Sequence, residues 1–206
     1  MVTDKRHVSN FHSLSASNNL DVYITQDQEE SLRLEIDENL LEHIITEVRN
    51  GELRIASDVN IRMAKSKKVY LSYKDLSSIK ISSAGNVQGE NKMNAGKLDI
   101  ELSSAGDLNL DIEAEEINIG ISSSGNAHLS GKTGYLNADL SSAGDLNAFD
   151  LVADKGDVSV SSAGDARVNI TGDARFTSSS AGDIIYTGDP KIIDIHTSSA
   201  GSVRRK

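Results

Sequence analysis

The stretch Ser103-Ser104-Ala105-Gly106-Asp107 reads SSAGD, and it decides the fold because it returns. The same or nearly the same five letters stand at Ser82–Asn86, Ser122–Asn126, Ser141–Asp145, Ser161–Asp165, Ser179–Asp183 and Ser198–Ser202. The seven glycines are Gly85, Gly106, Gly125, Gly144, Gly164, Gly182 and Gly201, separated by 21, 19, 19, 20, 18 and 19 residues. So steady a period is a structural repeat.

Each copy follows a run of alternating character. In KLDIELSS, Leu98, Ile100, Leu102 and Ser104 share one side of a strand, and Asp99, Glu101 and Ser103 the other. The next copies repeat this with Ile117, Ile119, Ile121 and Ser123, then Leu136, Ala138, Leu140 and Ser142. After the glycine the alternation resumes, with Leu108, Leu110 and Ile112 inward and Asp107, Asn109 and Asp111 outward. Period two means strands with one buried side. About nineteen residues leave no room for a crossover helix, but they close a coil that returns above its own start. The expected fold is therefore all-β: a right-handed parallel β-helix, or β-solenoid, with coils of about nineteen residues. The handedness follows from the general chirality of parallel β connections. A single β-helix domain over 1–206 is expected, divided into irregular N-terminal coils or a cap (1–75) and regular repeats (76–206).

At the corner, glycine either supplies a positive φ or lets successive coils approach closely. The second serines, Ser83, Ser104, Ser123, Ser142, Ser162, Ser180 and Ser199, are expected to stack inside the wall in a structural role. A serine nucleophile needs a base and an oxyanion site, and seven copies argue against one. The column after the glycine reads Asn86, Asp107, Asn126, Asp145, Asp165, Asp183, Ser202. Its three successive aspartates repel one another by roughly 1 kcal/mol per pair in water. Bonds from turn N–H groups would relieve them, as would a bridging cation; turn bonding is the expectation. The calcium-roll pattern GGxGxDxUx is absent, and neither a metal nor another cofactor is implied.

The opening is less periodic. NNLDVYITQ and SLRLEI alternate as strands, DENLLEHIITEV is a short helix or an irregular segment, and Asn50-Gly51 within VRNGELRI signals a hairpin. This region is expected to cap one end of the stack. The last motif is followed only by VRRK; terminal cations could discourage edge-to-edge growth there, or a second subunit could cover the end.

Composition narrows the function. The 206 residues carry a formal net charge of -10, which disfavours nucleic acid and anionic membrane surfaces as partners. There is no Cys, hence no disulfide scaffold or thiolate site. No apolar run is long enough to span a membrane. The five histidines, His7, His12, His43, His128 and His196, lack HExxH spacing. No glycine-rich phosphate loop is present.

Three segments, RHVSNFHSLSASNNLDVYITQ, DENLLEHIITEVRNGELRI and KVYLSYKDLSSIKISSAGNV, resemble the putative auto-transporter adhesin, head GIN domain, family, common in Bacteroidetes. The likeness runs from about Arg6 to the C-terminus. It implies a β-helix and export behind a signal peptide or lipoprotein signal, so the expected location is periplasmic, outer-membrane associated or extracellular. It carries over no catalytic residue. The expected function is that of an exported, non-catalytic β-solenoid, an adhesin-like binder or a cell-surface structural protein. Its partners would be glycans or surface proteins, with a homo-oligomer through the solenoid end or face also compatible. The candidate ligand contacts are the outward column Asn109, His128 and Asn147. The alternative is a polysaccharide-active enzyme of the pectate-lyase or polygalacturonase type, whose acids would come from outward carboxylates such as Asp99, Glu101, Asp139 and Asp157.

Overall fold

A strand with one apolar side must lay it against another layer, and here the chain does so by coiling. The computed structural model describes residues 1–206. About 65% of them are in strands and 3% in helix, and the chain stacks into a β-solenoid of about 7 turns. The N-terminal part holds strands β1 (Val2–Arg6), β2 (Ser13–Ala16), β3 (Asp21–Gln26) and β4 (Ser31–Ile36). A 3-10 turn at Glu38–His43 resolves the ambiguous DENLLEH stretch. Then come β5 (Ile44–Arg49), β6 (Glu52–Ser57) and β7 (Lys67–Tyr73). The β5–β6 pair is the hairpin expected at Asn50-Gly51, whose φ angles of 50° and 77° are those of a tight I′ turn.

The stacking order in this part departs from chain order. β2 lies parallel between β6 and β8 (Ser78–Ile81), and β3 lies parallel between β7 and β9 (Asn86–Gly89). So β2 and β3 make a regular coil, laid down first and then covered on one side by β6 and β7. Three strands close that end by antiparallel pairing: β5 on β6, β4 on β7 and β1 on β4. Antiparallel caps end a parallel stack with strands that need no further coil beneath them.

From β8 onward chain order and stacking order agree. β10 (Met93–Leu102), β11 (Asp107–Ile121), β12 (Asn126–Leu140), β13 (Asp145–Val160) and β14 (Asp165–Ser178) pair in parallel, each on the last. β14 then pairs with both β15 (Asp183–Thr187) and β16 (Ile192–Thr197), and β15 with β17 (Ser202–Arg205). In-register pairing turns each inward residue into a file. Leu98, Ile117 and Leu136 align, as do Ile100, Ile119, Ala138, Val158 and Phe176. A core cluster of 50 buried residues runs from Val8 to Ile184. It is almost wholly aliphatic, and each fully buried Leu or Ile contributes about 1.5–3 kcal/mol. The irregular glycine spacing is absorbed by register shifts where β13 meets its neighbours, between His128 and Ser130 and between Ala148 and Val152.

The corner decides between the two roles expected of its glycine and corrects one expectation. Gly106 N–H donates to the Ser103 carbonyl at 3.1 Å, closing a four-residue turn. Its central residues, Ser104 (φ 50°) and Ala105 (φ 63°), both lie in the left-handed region, so this is also a I′ turn. The positive φ belongs to the Ser-Ala pair and not to the glycine. The glycine is needed for close approach: a Cβ on Gly144 would stand 2.8 Å from Ile121 Cγ2 and 3.0 Å from the Ile121 carbonyl oxygen. The correction concerns the serines. Two successive positive φ values rotate the chain, so Ser83, Ser104, Ser123, Ser142, Ser162, Ser180 and Ser199 are exposed, while Gly85, Gly106, Gly125, Gly144, Gly164 and Gly182 are buried.

Each left-handed residue costs about 1–2 kcal/mol. Hydrogen bonds between coils offset that cost. Ala105 N–H donates to the Ser123 carbonyl of the following coil at 3.2 Å, and Asp107 N–H to the Gly85 carbonyl of the preceding one at 2.9 Å. The pattern repeats at every corner up to Ala181 and Ser199. It also begins earlier than the serine motif does. Asn18 (φ 64°) and Asn19 (φ 58°) form an equivalent corner, and Asn19 N–H donates to the Ser83 carbonyl at 3.1 Å. Leu20 takes the place of the glycine there, beside a neighbouring connection, residues 58–66, that is longer than a serine corner.

Candidate binding face

Outward residues of stacked coils form files as regular as the inward ones. Asn109, His128 and Asn147 are consecutive partners in the β11, β12 and β13 ladders, so the structure brings these three together. Successive strands stand about 4.8 Å apart, which puts the two asparagine backbones about 9.6 Å from each other. Asn109 is exposed and His128 and Asn147 are half-buried. Asn109 and His128 make no side-chain hydrogen bond within the protein, and Asn147 Oδ1 accepts one long bond of 3.5 Å from Phe149 N–H. Their amide and imidazole groups therefore keep donors and acceptors free for a ligand.

The file is longer than those three residues. Toward the capped end it continues through Gln88, Tyr23, Tyr70 and Arg33 to Lys5. In the other direction it passes through Arg167 and Ile185 to Arg204. These eleven residues include no carboxylate. The Tyr23 and Tyr70 rings stack at 5.2 Å between centroids, and the Arg33 guanidinium lies over Tyr70 at 4.1 Å. Alternation within NNLDVYITQ and KVYLSY does place both tyrosines outward. Their membership of this file depends on the non-sequential stacking order, which period-two patterning cannot reveal.

The neighbouring file carries the acids: Asp21, Asn86, Asp107, Asn126, Asp145, Asp165, Asp183 and Ser202. Turn N–H groups do not relieve it. Asn126 Nδ2 donates to Asp107 Oδ1 at 2.8 Å, and the arginines of the adjacent file supply the rest. Arg167 donates to both Asp145 oxygens, at 2.9 and 3.2 Å, and lies 3.9 Å from Asp165. Arg204 donates to Asp183 at 2.8 Å, and the Ser202 hydroxyl donates to the same carboxylate. The expectation of turn bonding is thereby corrected: interleaved amides and charge-assisted arginine bonds hold the acids. No group of three or more His, Asp or Glu side chains converges to hold a metal ion.

The acids weighed for catalysis lie on other strands. Asp99, Glu101 and Asp139 border a shallow depression of about 410 Å³ floored by Gly120. Glu101 and Asp139 are both exposed, two strand steps apart on either side of Gly120. Asp99 accepts from Asn118 at 2.9 Å, and Asp157 accepts from Arg175 at 3.4 Å. One carboxyl on these outer files has a displaced pKa. Glu116 is held below its ordinary value, first by the hydrogen bond from Lys97 and then by that from Asn118. A general acid needs a shift in the opposite direction.

What the fold defines is a parallel β-solenoid whose faces carry continuous polar files. The chain belongs to the putative auto-transporter adhesin, head GIN domain, family, whose model matches residues 10–190. No curated protein matches it. Crystal structures of other proteins share its fold. A putative adhesin from Bacteroides fragilis superposes with a TM-score of 0.92 at 22% identity, over 100% of this chain and 96% of that one. A putative adhesin from Parabacteroides merdae gives 0.81 at 18% identity, over 100% and 95%. A putative lipid binding protein from Parabacteroides distasonis gives 0.76 at 20% identity, over 100% and 96%. No helix is long and apolar enough to cross a membrane.

Proposed function

We propose that this protein is an exported, non-catalytic adhesin-like solenoid that binds glycans along the file containing Asn109, His128 and Asn147. The observation that carries the reading is the unbroken register of that file. It lines up neutral donors and acceptors at one strand spacing, on a surface that runs along the stack, and leaves those of Asn109 and His128 unused by the protein. A linear saccharide presents hydroxyls at a comparable repeat, so several weak polar contacts are made by one ligand and add. Family membership supports the cell-surface setting, in the periplasm, at the outer membrane or outside the cell.

The enzyme alternative fares worse on geometry. The carboxylates around Gly120 are solvated, and nothing excludes water from them. Hydrolysis needs one carboxyl kept protonated near neutral pH, usually by burial. The test is a panel of polysaccharides and oligosaccharides incubated with the purified protein, with both bound and released sugar measured. The expected result is retention of intact chains. Release of shortened oligosaccharides would establish the enzyme instead. In the Asn109→Ala/His128→Ala/Asn147→Ala variant, retention should fall at least tenfold while the melting temperature stays within a degree or two.

A further inference from the structure

The capped end of the same file opens into a cavity of about 480 Å³, lined by Lys5, Arg6, His7, Arg33, Tyr70 and Glu90 among others. Its charges divide into those already committed and those that are free. Arg6 donates to the Leu41 carbonyl at 3.0 Å, the Thr46 hydroxyl at 3.0 Å and the Ile44 carbonyl, and it pairs with Asp4. Arg33 pairs with Glu35 while it lies over Tyr70. Two acids also stand in the wall, each hydrogen-bonded to a neutral donor. Glu30 accepts from Asn10 N–H at 3.0 Å, and Glu90 from the Thr25 hydroxyl at 3.4 Å. Lys5 and His7 are exposed and have no ionic partner. The cavity thus offers an uncommitted cation beside a guanidinium-capped aromatic stack, on a chain whose net charge is -10.

An anionic ligand is repelled by most of this surface, and above all by the aspartate file. It can approach where a cation stands without an acid to neutralise it. Along the carboxylate-free file that place is the Lys5 end, because Arg167 and Arg204 at the other end are spent on Asp145 and Asp183. We propose that this cavity binds the acidic unit of a saccharide, its carboxylate or sulfate at Lys5, while the neutral units that follow run over Tyr70 and Tyr23 toward Gln88, Asn109 and His128. This deepens the glycan-binding reading above and rests on it.

Isothermal titration with an octasaccharide ending in a uronic acid, one ending in a sulfated sugar and a neutral one tests it, on the wild-type protein, on Lys5→Glu and on the triple alanine variant. On the wild type, at least one acidic octasaccharide should bind about tenfold more tightly than the neutral one, and 0.5 M salt should erase most of that gain. The two acidic arms tell carboxylate from sulfate, and either one held through Lys5 supports the proposal. Lys5→Glu should abolish the gain and leave neutral affinity unchanged. Lys5 is exposed and unpaired, so the melting temperature of this variant should match wild type. Equal affinity for acidic and neutral ligands, or an acidic affinity untouched by Lys5→Glu, overturns the proposal while leaving the neutral-glycan reading standing. Binding that the triple variant leaves intact for all three ligands overturns that reading instead. No binding of any of the three to wild type overturns both.

Discussion

Two adjacent small residues at each corner are small for different reasons. Ala143 occupies the left-handed region, with φ at 63°, and its Cβ points into solvent. Gly144 has an ordinary φ, but a Cβ there would meet Ile121. The first is a conformational constraint and the second a steric one. Ala143→Gly should therefore be neutral or stabilising by about 0.5 kcal/mol, since relief of left-handed strain slightly exceeds the extra chain entropy of glycine. Gly144→Val should cost about 3 kcal/mol through overpacking against the preceding coil. Asp145→Ala, which removes a half-exposed ion pair, should cost about 0.5 kcal/mol. Urea unfolding of the three variants checks the order; equal losses at 143 and 144 would mean that the corner is not built this way. A second prediction at this scale concerns Tyr73, whose phenol is pushed above its ordinary value of 10.0 by burial. Above pH 10 the unfolded chain releases a proton that the folded chain keeps, so stability falls as pH rises. Tyr73→Phe should flatten that alkaline decline in unfolding measurements between pH 9 and 11.

At the scale of strands and files, like charges stack only where something interrupts them. Amides do so at Asn86 and Asn126, and arginines from the adjacent file do so at Asp145 and Asp183. Arg167→Ala should cost about 0.5–1 kcal/mol at low salt, and the loss should shrink as ionic strength rises and the half-exposed Asp145 and Asp165 are screened. Calcium should raise the wild-type melting temperature no more than sodium chloride of matched ionic strength; a saturable calcium-specific shift would show that a cation bridges the aspartates. Lys97 and Glu116 make the complementary pair on another file. The hydrogen bond between them raises the lysine pKa and lowers that of the glutamate. The glutamate contribution is present above its unfolded value of 4.5 and is lost as pH falls through the lower folded one. The strands and the period were legible in KLDIELSS and its repeats, because each inward residue is aliphatic and each outward one polar. The arginine pairing was not, since Arg167 belongs to the Asn109 file and only the register places it beside Asp145.

For the molecule as a whole, the regular coils were readable because chain order equals stacking order from β8 onward. The N-terminal coil was not, because β2 and β3 lie beneath strands that come much later in the chain. That insertion extends the Asn109 file to Tyr23, Tyr70, Arg33 and Lys5, residues that sequence alone scatters across 65 positions. It also makes folding of the capped end non-local, so unfolding should spare the sequential coils longest and begin where β1 and β4 lie on the stack. Hydrogen exchange should show slower amides in β11–β13 than in β1 and β4. The central claim is that a glycan lies along one polar file of an otherwise inert rod. The most direct measurement is a nuclear magnetic resonance titration with the tightest-binding oligosaccharide, following the Asn109 and Asn147 side-chain amides and the His128 ring. These three should shift together and saturate at one ligand concentration, with Lys5 and Tyr70 shifting alongside when the ligand is acidic. Shifts confined to the depression at Glu101, Gly120 and Asp139, with the file unmoved, would contradict it.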